Sequence, residues 1–209
     1  QQMRALPDRA EDLPLRGQGP MTALVTGAGR RLGRAMALYL AQRGHDVAVH
    51  YSSSQDEAEA TVAEIRALGR RARAFQADLL QEAQVQALIP AATAALGPLT
   101  VLVNSASIFE YDRIDTATRE SWDRHIGSNL RAPYVLTQAF ARQCPPAVPD
   151  DQGEPLAQGL ILNMIDQRIL KLTPEFSTYT IAKMGLWALT QTAAQGLAPH
   201  VRVNGIGPG

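Results

Sequence analysis

Short β-branched or apolar runs alternate with longer stretches of helical period, and this alternation constrains the fold more than any other feature of the chain. The runs are Ala23 to Thr26, Val47 to His50, Ala72 to Gln76, Val101 to Asn104, Leu160 to Met164 and Val201 to Asn204. Helical patterns fill the gaps: Ala35, Leu38 and Tyr39 recur at i, i+3 and i+4 within Arg34 to Gln42, and similar patterns occupy 55–68, 82–96, 118–142 and 177–197. Each parallel strand pair needs a long crossover, and a sheet covered on both faces needs strands that are apolar throughout. The pattern therefore predicts an α/β fold, a doubly wound parallel sheet of Rossmann type, in a single domain over 21–209. Residues 1–20 mix charge with proline and glycine, show no apolar period, and read as a flexible N-terminal leader. Residues 144–158, CPPAVPDDQGEPLAQ, read as an exposed loop before the fifth strand.

Composition narrows the function classes. With 20 basic and 20 acidic residues among 209, the chain has no net charge, so nothing in its balance favours nucleic acid or a membrane surface. At 45% hydrophobic and 19% charged it can bury one full core. No apolar run approaches the ~20 residues that span a bilayer, and the first twenty residues lack the apolar stretch of a signal peptide. A cytoplasmic location is expected. The one cysteine, Cys144, cannot form an internal disulfide and reads as incidental, and no Cys/His cluster suggests a metal. Of the 20 basic residues only Lys171 and Lys183 are lysines.

The first run leads directly into Thr26-Gly27-Ala28-Gly29-Arg30-Arg31-Leu32-Gly33 and an alanine-rich helix. Glycines there let the backbone reach positive φ and let a pyrophosphate approach, while the helix start offers free N–H groups. The spacing is neither that of a Walker A loop nor Gly-x-Gly-x-x-Gly. At the end of the second run, where a carboxylate would bind ribose hydroxyls and repel a 2′-phosphate, stand His50, Tyr51 and Ser52. With Arg30 and Arg31 in the facing turn, the local charge suits NADP rather than NAD. Further along, Tyr179 and Lys183 lie four apart, on one helix face. An ammonium beside a phenol is expected to lower its pKa and make it a usable acid toward a carbonyl or imine receiving hydride.

Taken in order, these residues resemble the short-chain dehydrogenase/reductase family across 21–209. The resemblance rests on Thr26-Gly27 with Gly33, Asp78 after the third strand, Asn104-Ser105-Ala106-Ser107 after the fourth, Asn129 in the fifth helix, Tyr179 with Lys183, and Pro208-Gly209 after the sixth strand. It implies that Tyr179 is the general acid, that Lys183 binds the nicotinamide ribose and lowers the tyrosine pKa, and that Asn129 supports a relay water. By the same resemblance Asp78 and Leu79 approach the adenine, the Asn104 to Ala106 turn and Pro208-Gly209 lie against the cofactor, and Ser107 belongs to the substrate side. It further implies a homodimer or homotetramer paired through 118–142 and 177–197, with a small-molecule substrate. A substrate-closing loop and a last strand are expected after Gly209.

Two departures narrow the resemblance. Arg31 stands where the usual pattern has a second glycine, and Asp166 stands thirteen residues before Tyr179 where it has a catalytic serine. Both changes occur in pteridine reductases and the related dihydromonapterin/dihydrofolate reductases, which the chain resembles in TGAGRRLG, His50-Tyr51, NMID and YTIAK. A carboxyl buried beside a phenol tends to rise in pKa and can donate or relay a proton to a ring nitrogen, whereas a serine would suit a ketone. The expected activity is NADPH-dependent reduction of a pterin or dihydrofolate. A generic reductase of 3-oxoacyl thioesters, ketones or sugars is the alternative within enzymes, and a non-catalytic NADP-sensing domain the alternative outside them. Phe109 and Tyr111 stand either as a platform for a flat substrate ring or as plain packing. Trp122 and Trp187 read as core or subunit contacts.

Overall fold

In a computed structural model, residues 21–209 are described; the expected leader, 1–20, lies outside them. β1 (Thr22–Val25) is followed by α1 (Arg31–Gln42), β2 (Asp46–Tyr51), α2 (Gln55–Ala67), β3 (Ala72–Gln76), α3 (Glu82–Leu96) and β4 (Val101–Asn104). Then come α4 (Arg119–Ile126), a π-helical turn (Gly127–Arg131), α5 (Ala132–Gln143), the short strands β5 (Val148–Pro149) and β6 (Pro155–Leu156), and β7 (Gly159–Met164). A 3₁₀ turn (Gln167–Leu170), α6 (Ser177–Leu197) and β8 (Val201–Ile206) complete the order.

Strand alternation builds two cores from one sheet. Within β1, Ala23 and Val25 face α1 and α2, joining Ala37, Ala41, Val47, Val49, Val62 and Ile65. Leu24 points the other way, to Leu88, Leu102, Leu136, Phe140 and Ile161 beneath α3 and α5. The sheet is parallel with order β3-β2-β1-β4-β7-β8. The chain winds outward in one direction from β1 and in the other from β4, so the loops leaving these neighbours diverge and open a crevice at their carboxyl ends, where ligands of such folds bind.

The predicted alternation matches this order, with two differences. The stretch 118–142 is not one α-helix: five residues around Asn129 widen into a π turn, and Pro133, which has no N–H, cannot return the α-helical bond to the Asn129 carbonyl. The loop at 144–158 contains a small antiparallel hairpin, β5 with β6, closed through Asp150, whose carboxylate accepts from the Gln152 and Glu154 amides.

At the opposite edge of the sheet, Asp46 is 3% exposed and joins the starts of β2 and β3. Its carboxylate accepts from the Arg71 amide and Nε, both at 2.9 Å, and pairs with Arg70 at 3.0 Å. Burial opposes its ionisation, but the Arg71 bonds and the two guanidinium charges prevail and hold its pKa below the usual value.

Candidate active site

The crevice is a cleft of about 840 Å³, within the range of small-molecule and cofactor sites. Its floor is the turn after β1. Gly27 has φ +63° and sits so near Ala106 that a Cβ would come within 3.0 Å of that backbone; a Cβ on Gly33 would lie 2.1 Å from the Gly27 carbonyl oxygen. The helix can therefore start against the strand end only without side chains there, and this leaves a glycine-lined cradle before the N-terminus of α1 that fits a pyrophosphate.

Side chains hold the turn level with its neighbours. The Thr26 hydroxyl accepts from the Ser105 and Ala106 amides, both at 3.0 Å, and so ties the loop after β1 to the loop after β4. His50 Nδ1 accepts from the Gly27 amide at 3.0 Å, while Nε2, 2.9 Å from the Ala77 carbonyl, donates to it. That pattern fixes the neutral tautomer with its proton on Nε2. His50 lines the cleft and, at 1% exposure with both ring nitrogens occupied, also serves as a strut beneath the cradle.

The arginines part company. Arg30 is bound through Nε and Nη2 to Glu57 on α2, so its charge is already matched. Arg31 is exposed and adopts φ +47°, the left-handed conformation that the usual glycine would supply. Leu32, Tyr51, Ser52, Asp78, Leu79, Ser105 and Pro208 line the cleft where the sequence put them. Asp78 Oδ1 accepts from the Leu80 amide at 2.9 Å, which shapes that loop.

Other residues stand behind the wall. Asn104 is buried, giving its amide N–H to Asn163 at 2.9 Å, and Asn163 in turn gives to Thr190 at 3.0 Å. Asn129, 1% exposed, clips Ile108 by accepting from its amide and donating to its carbonyl, both at 2.8 Å. Its side chain thus positions the loop after β4. Gly209 lies beside Gln167, beyond the cleft lining.

At the cleft's inner end, the Tyr179 hydroxyl donates to Asp166 Oδ2 at 2.8 Å, and Ser107, Phe109 and Lys183 complete the wall. The expectation that Lys183 lowers the phenol's pKa is not met here: burial, and then the hydrogen bond and negative charge of Asp166, push the Tyr179 pKa well above its ordinary value. Ser107 and the charge of Arg168 oppose this weakly. Lys183, buried to 3% exposure, donates to the Met164 carbonyl at 2.8 Å. Burial lowers its pKa to about 8 although Asp166 acts to raise it. The site therefore holds a protonated phenol aimed at a carboxylate, with an amine behind it that exchanges its proton near neutral pH.

A network absent from the sequence reading backs this wall. The Asp112 carboxylate accepts from the Thr178 amide at 3.1 Å and from the Thr178 hydroxyl. That hydroxyl lies 2.7 Å from His125 Nδ1, and His125 Nε2 accepts from the Glu110 amide at 3.1 Å. All three residues are buried, and the His125 ring packs edge-on to Tyr179, centroids 6.0 Å apart. The signal available in sequence was a histidine on the inward face of α4. Arg124 was also missed; it lines the cleft and is paired with Glu110. Among the described residues there is no group of three or more His, Cys, Asp or Glu able to hold a metal.

The short chain dehydrogenase family model matches residues 21–209, the whole of this fold. The chain belongs to the short-chain dehydrogenase family. Among curated members, the 3-oxoacyl-[acyl-carrier-protein] reductase FabG of Staphylococcus epidermidis is 35% identical over 191 residues, covering 90% of this chain and 74% of the relative. Among solved members, the FolM alternative dihydrofolate reductase 1 of Brucella canis, complexed with NADP, is 40% identical with a TM-score of 0.81, covering 90% of this chain and 73% of that one. A short chain dehydrogenase of Burkholderia cenocepacia, also with NADP, is 36% identical with a TM-score of 0.82, covering 90% and 74%.

Family membership frames the strain at Arg31. A residue with a Cβ at positive φ costs about 1–2 kcal/mol, partly offset on replacement by the greater freedom of glycine in the unfolded chain. Arg31→Gly is therefore expected to stabilise the unliganded protein by about 1 kcal/mol, measured by urea denaturation. An unchanged or lower stability would mean that the side chain is held by favourable contacts.

Proposed function

We propose that this protein is an NADPH-dependent reductase of a pterin or dihydrofolate ring. The observation that carries the reading is the 2.8 Å bond from the Tyr179 phenol to the Asp166 carboxylate, in the place where family members of the usual pattern present a serine hydroxyl. A hydroxyl there can donate to a ketone oxygen. A carboxylate can only accept, and it suits a substrate that brings its own N–H, such as an amino-substituted heterocycle. The dihydrofolate reductase name of the Brucella relative supports the same reading.

The cradle formed by Gly27 to Gly33 would hold the pyrophosphate, Asp78 and Leu79 would flank the adenine, and Lys183 would hold the nicotinamide ribose. When bound, the reduced dinucleotide supplies a hydride. Tyr179, kept protonated at neutral pH by burial and by Asp166, delivers a proton to the substrate. Asp166 orients the phenol and accepts from the substrate's ring N–H. Lys183 is poised to replenish that proton because its own pKa lies near 8.

A 3-oxoacyl thioester reductase is the second reading, favoured by the FabG relatives. Asp166→Asn and Asp166→Ser separate the two. On the pterin reading, Asp166→Asn keeps NADPH binding and lowers turnover of dihydropterin by tens to thousands of fold. Asp166→Ser then fails to restore it and raises activity on simple ketones. Unchanged pterin turnover in Asp166→Ser, or wild-type activity confined to ketones, would select the second reading.

Cofactor preference follows from the turn. Glu57 already satisfies Arg30, so Arg31 is the available partner for a 2′-phosphate, and one charge-assisted contact is worth ~1.5–3 kcal/mol. NADPH is expected to bind at least tenfold more tightly than NADH, with Arg31→Gly giving up most of the difference; equal affinities by fluorescence titration would refute the assignment.

The protein is proposed to act as a homodimer or homotetramer. Of the apolar residues on α5 and α6, Val135, Leu136, Leu186 and Leu189 are core, but Tyr134 and Trp187 remain 44% and 38% exposed. They are joined by Trp122 on α4 and by Ile181 and Met184, which share a face of α6 with Trp187. Exposed aromatic and aliphatic side chains grouped on helices in this way suit an interface, and this surface is assigned to a second copy. Sedimentation velocity is expected to show a dimer or larger species that Trp187→Glu dissociates; a wild-type monomer would contradict the assignment.

A further inference from the structure

Three aromatic side chains and one arginine stand together at the mouth of the catalytic end. Phe109 stacks on Phe176, ring centres 4.2 Å apart and planes 8° from parallel, and turns its ring against the edge of Tyr179 at 4.7 Å. Tyr111 meets Phe176 edge-on at 5.3 Å. Phe176 takes φ +55°, a left-handed conformation that a large side chain avoids unless its surroundings impose it. Here the strain sets the start of α6, with the Phe176 carbonyl accepting from both the amide and the hydroxyl of Thr180, and aims the ring at Phe109.

Arg168 covers this stack. Its guanidinium carbon lies 4.6 Å from the Phe176 ring centre and 5.8 Å from that of Phe109. Most other arginines near the rim have carboxylates: Arg30 has Glu57, Arg124 has Glu110 and Arg131 has Glu82. Among the described residues the Arg168 guanidinium has only a long 3.4 Å hydrogen bond to the Thr173 hydroxyl. Asp166, two residues away, accepts from the Arg168 backbone amide and from Tyr179, and makes no ion pair with the guanidinium. Stacking on aromatic faces holds the guanidinium plane in place and leaves its edge, a planar fork of N–H donors, free to meet a carboxylate two-point.

We propose that Arg168, held on the Phe109–Phe176 stack, is a specificity-determining residue that binds a carboxylate carried by the substrate on the side away from the reducible ring. This rests on the reductase reading of the cleft and extends it. The favoured substrate is a flat ring bearing an acidic arm, as in dihydrofolate, rather than a pterin with an uncharged side chain. Tyr179 and Asp166 act on the ring, and Arg168 selects the arm.

The test compares dihydrofolate with dihydrobiopterin, which lacks a carboxylate, under NADPH turnover by wild type, Arg168→Gln and Arg168→Lys. Arg168→Gln is expected to raise the dihydrofolate KM at least tenfold with a much smaller effect on kcat. The dihydrofolate to dihydrobiopterin ratio of kcat/KM should fall at least tenfold, and Arg168→Lys should restore part of it. An unchanged ratio, whether activity on both substrates falls together or stays the same, overturns the proposal and leaves Arg168 as packing. Should wild type reduce neither pterin, the pterin reading fails by itself, and the same ratio is read on an aryl keto acid against its methyl ester. Loss of preference for the acid in Arg168→Gln would still support the carboxylate site, and no loss would overturn it.

Discussion

The cleft depends on loops from separate strands being bonded to one another instead of to water. A parallel sheet delivers its strand ends to one edge but does nothing to keep the following loops in register. Here Thr26 does so between β1 and β4, His50 between β1 and the end of β3, and Asn129 between the π turn and the loop after β4. Each uses a buried side chain with at least two bonds to backbone, so loss of any one leaves backbone groups without partners in a low-dielectric interior. This is why the glycine-rich part of the crevice can be preorganised although glycines bring no side chains of their own to hold it.

The π turn applies the same economy to a helix. An uninterrupted α-helix through 119–143 would return every carbonyl to an amide four residues on. The widened turn with Pro133 releases that constraint at Asn129 while its side chain stays committed to Ile108. Proline and the π turn thereby set the backbone at the residue whose side chain clips the loop after β4.

Much of this was legible in the sequence, and the omissions have a common cause. The strand runs, the glycine turn and the Tyr179-Lys183 spacing are local patterns, and local periodicity reports them. Burial is not local. His50 is placed at the cleft by its position at a strand end, but only the packed sheet shows its ring pinned between Gly27 and Ala77. The pairing of Arg30 with Glu57, 27 residues on, could not be told from a free charge. The sign of the Tyr179 shift was misjudged because proximity of Lys183 was weighed without the burial and the carboxylate that outweigh it. Asp112, Thr178 and His125 come from three separate elements, 53 and 66 residues apart across their bonds, so no motif could announce them. Conversely, the predicted loop at 144–158 hides its hairpin because β5 and β6 are two residues each and carry prolines.

The buried imidazole of His50 ties the cradle to the proton concentration. Its Nδ1 must keep a lone pair for the Gly27 amide, and burial holds the folded pKa below the ordinary 6.5 despite the favourable bond to Ala77. As acidity rises past that value, the unfolded chain takes up a proton that the folded one refuses. The contribution of this strut is complete above about pH 6.5 and declines below it. The protein's hold on an anionic cofactor is thus expected to weaken on the acid side through a buried ring whose two nitrogens are both committed to the backbone.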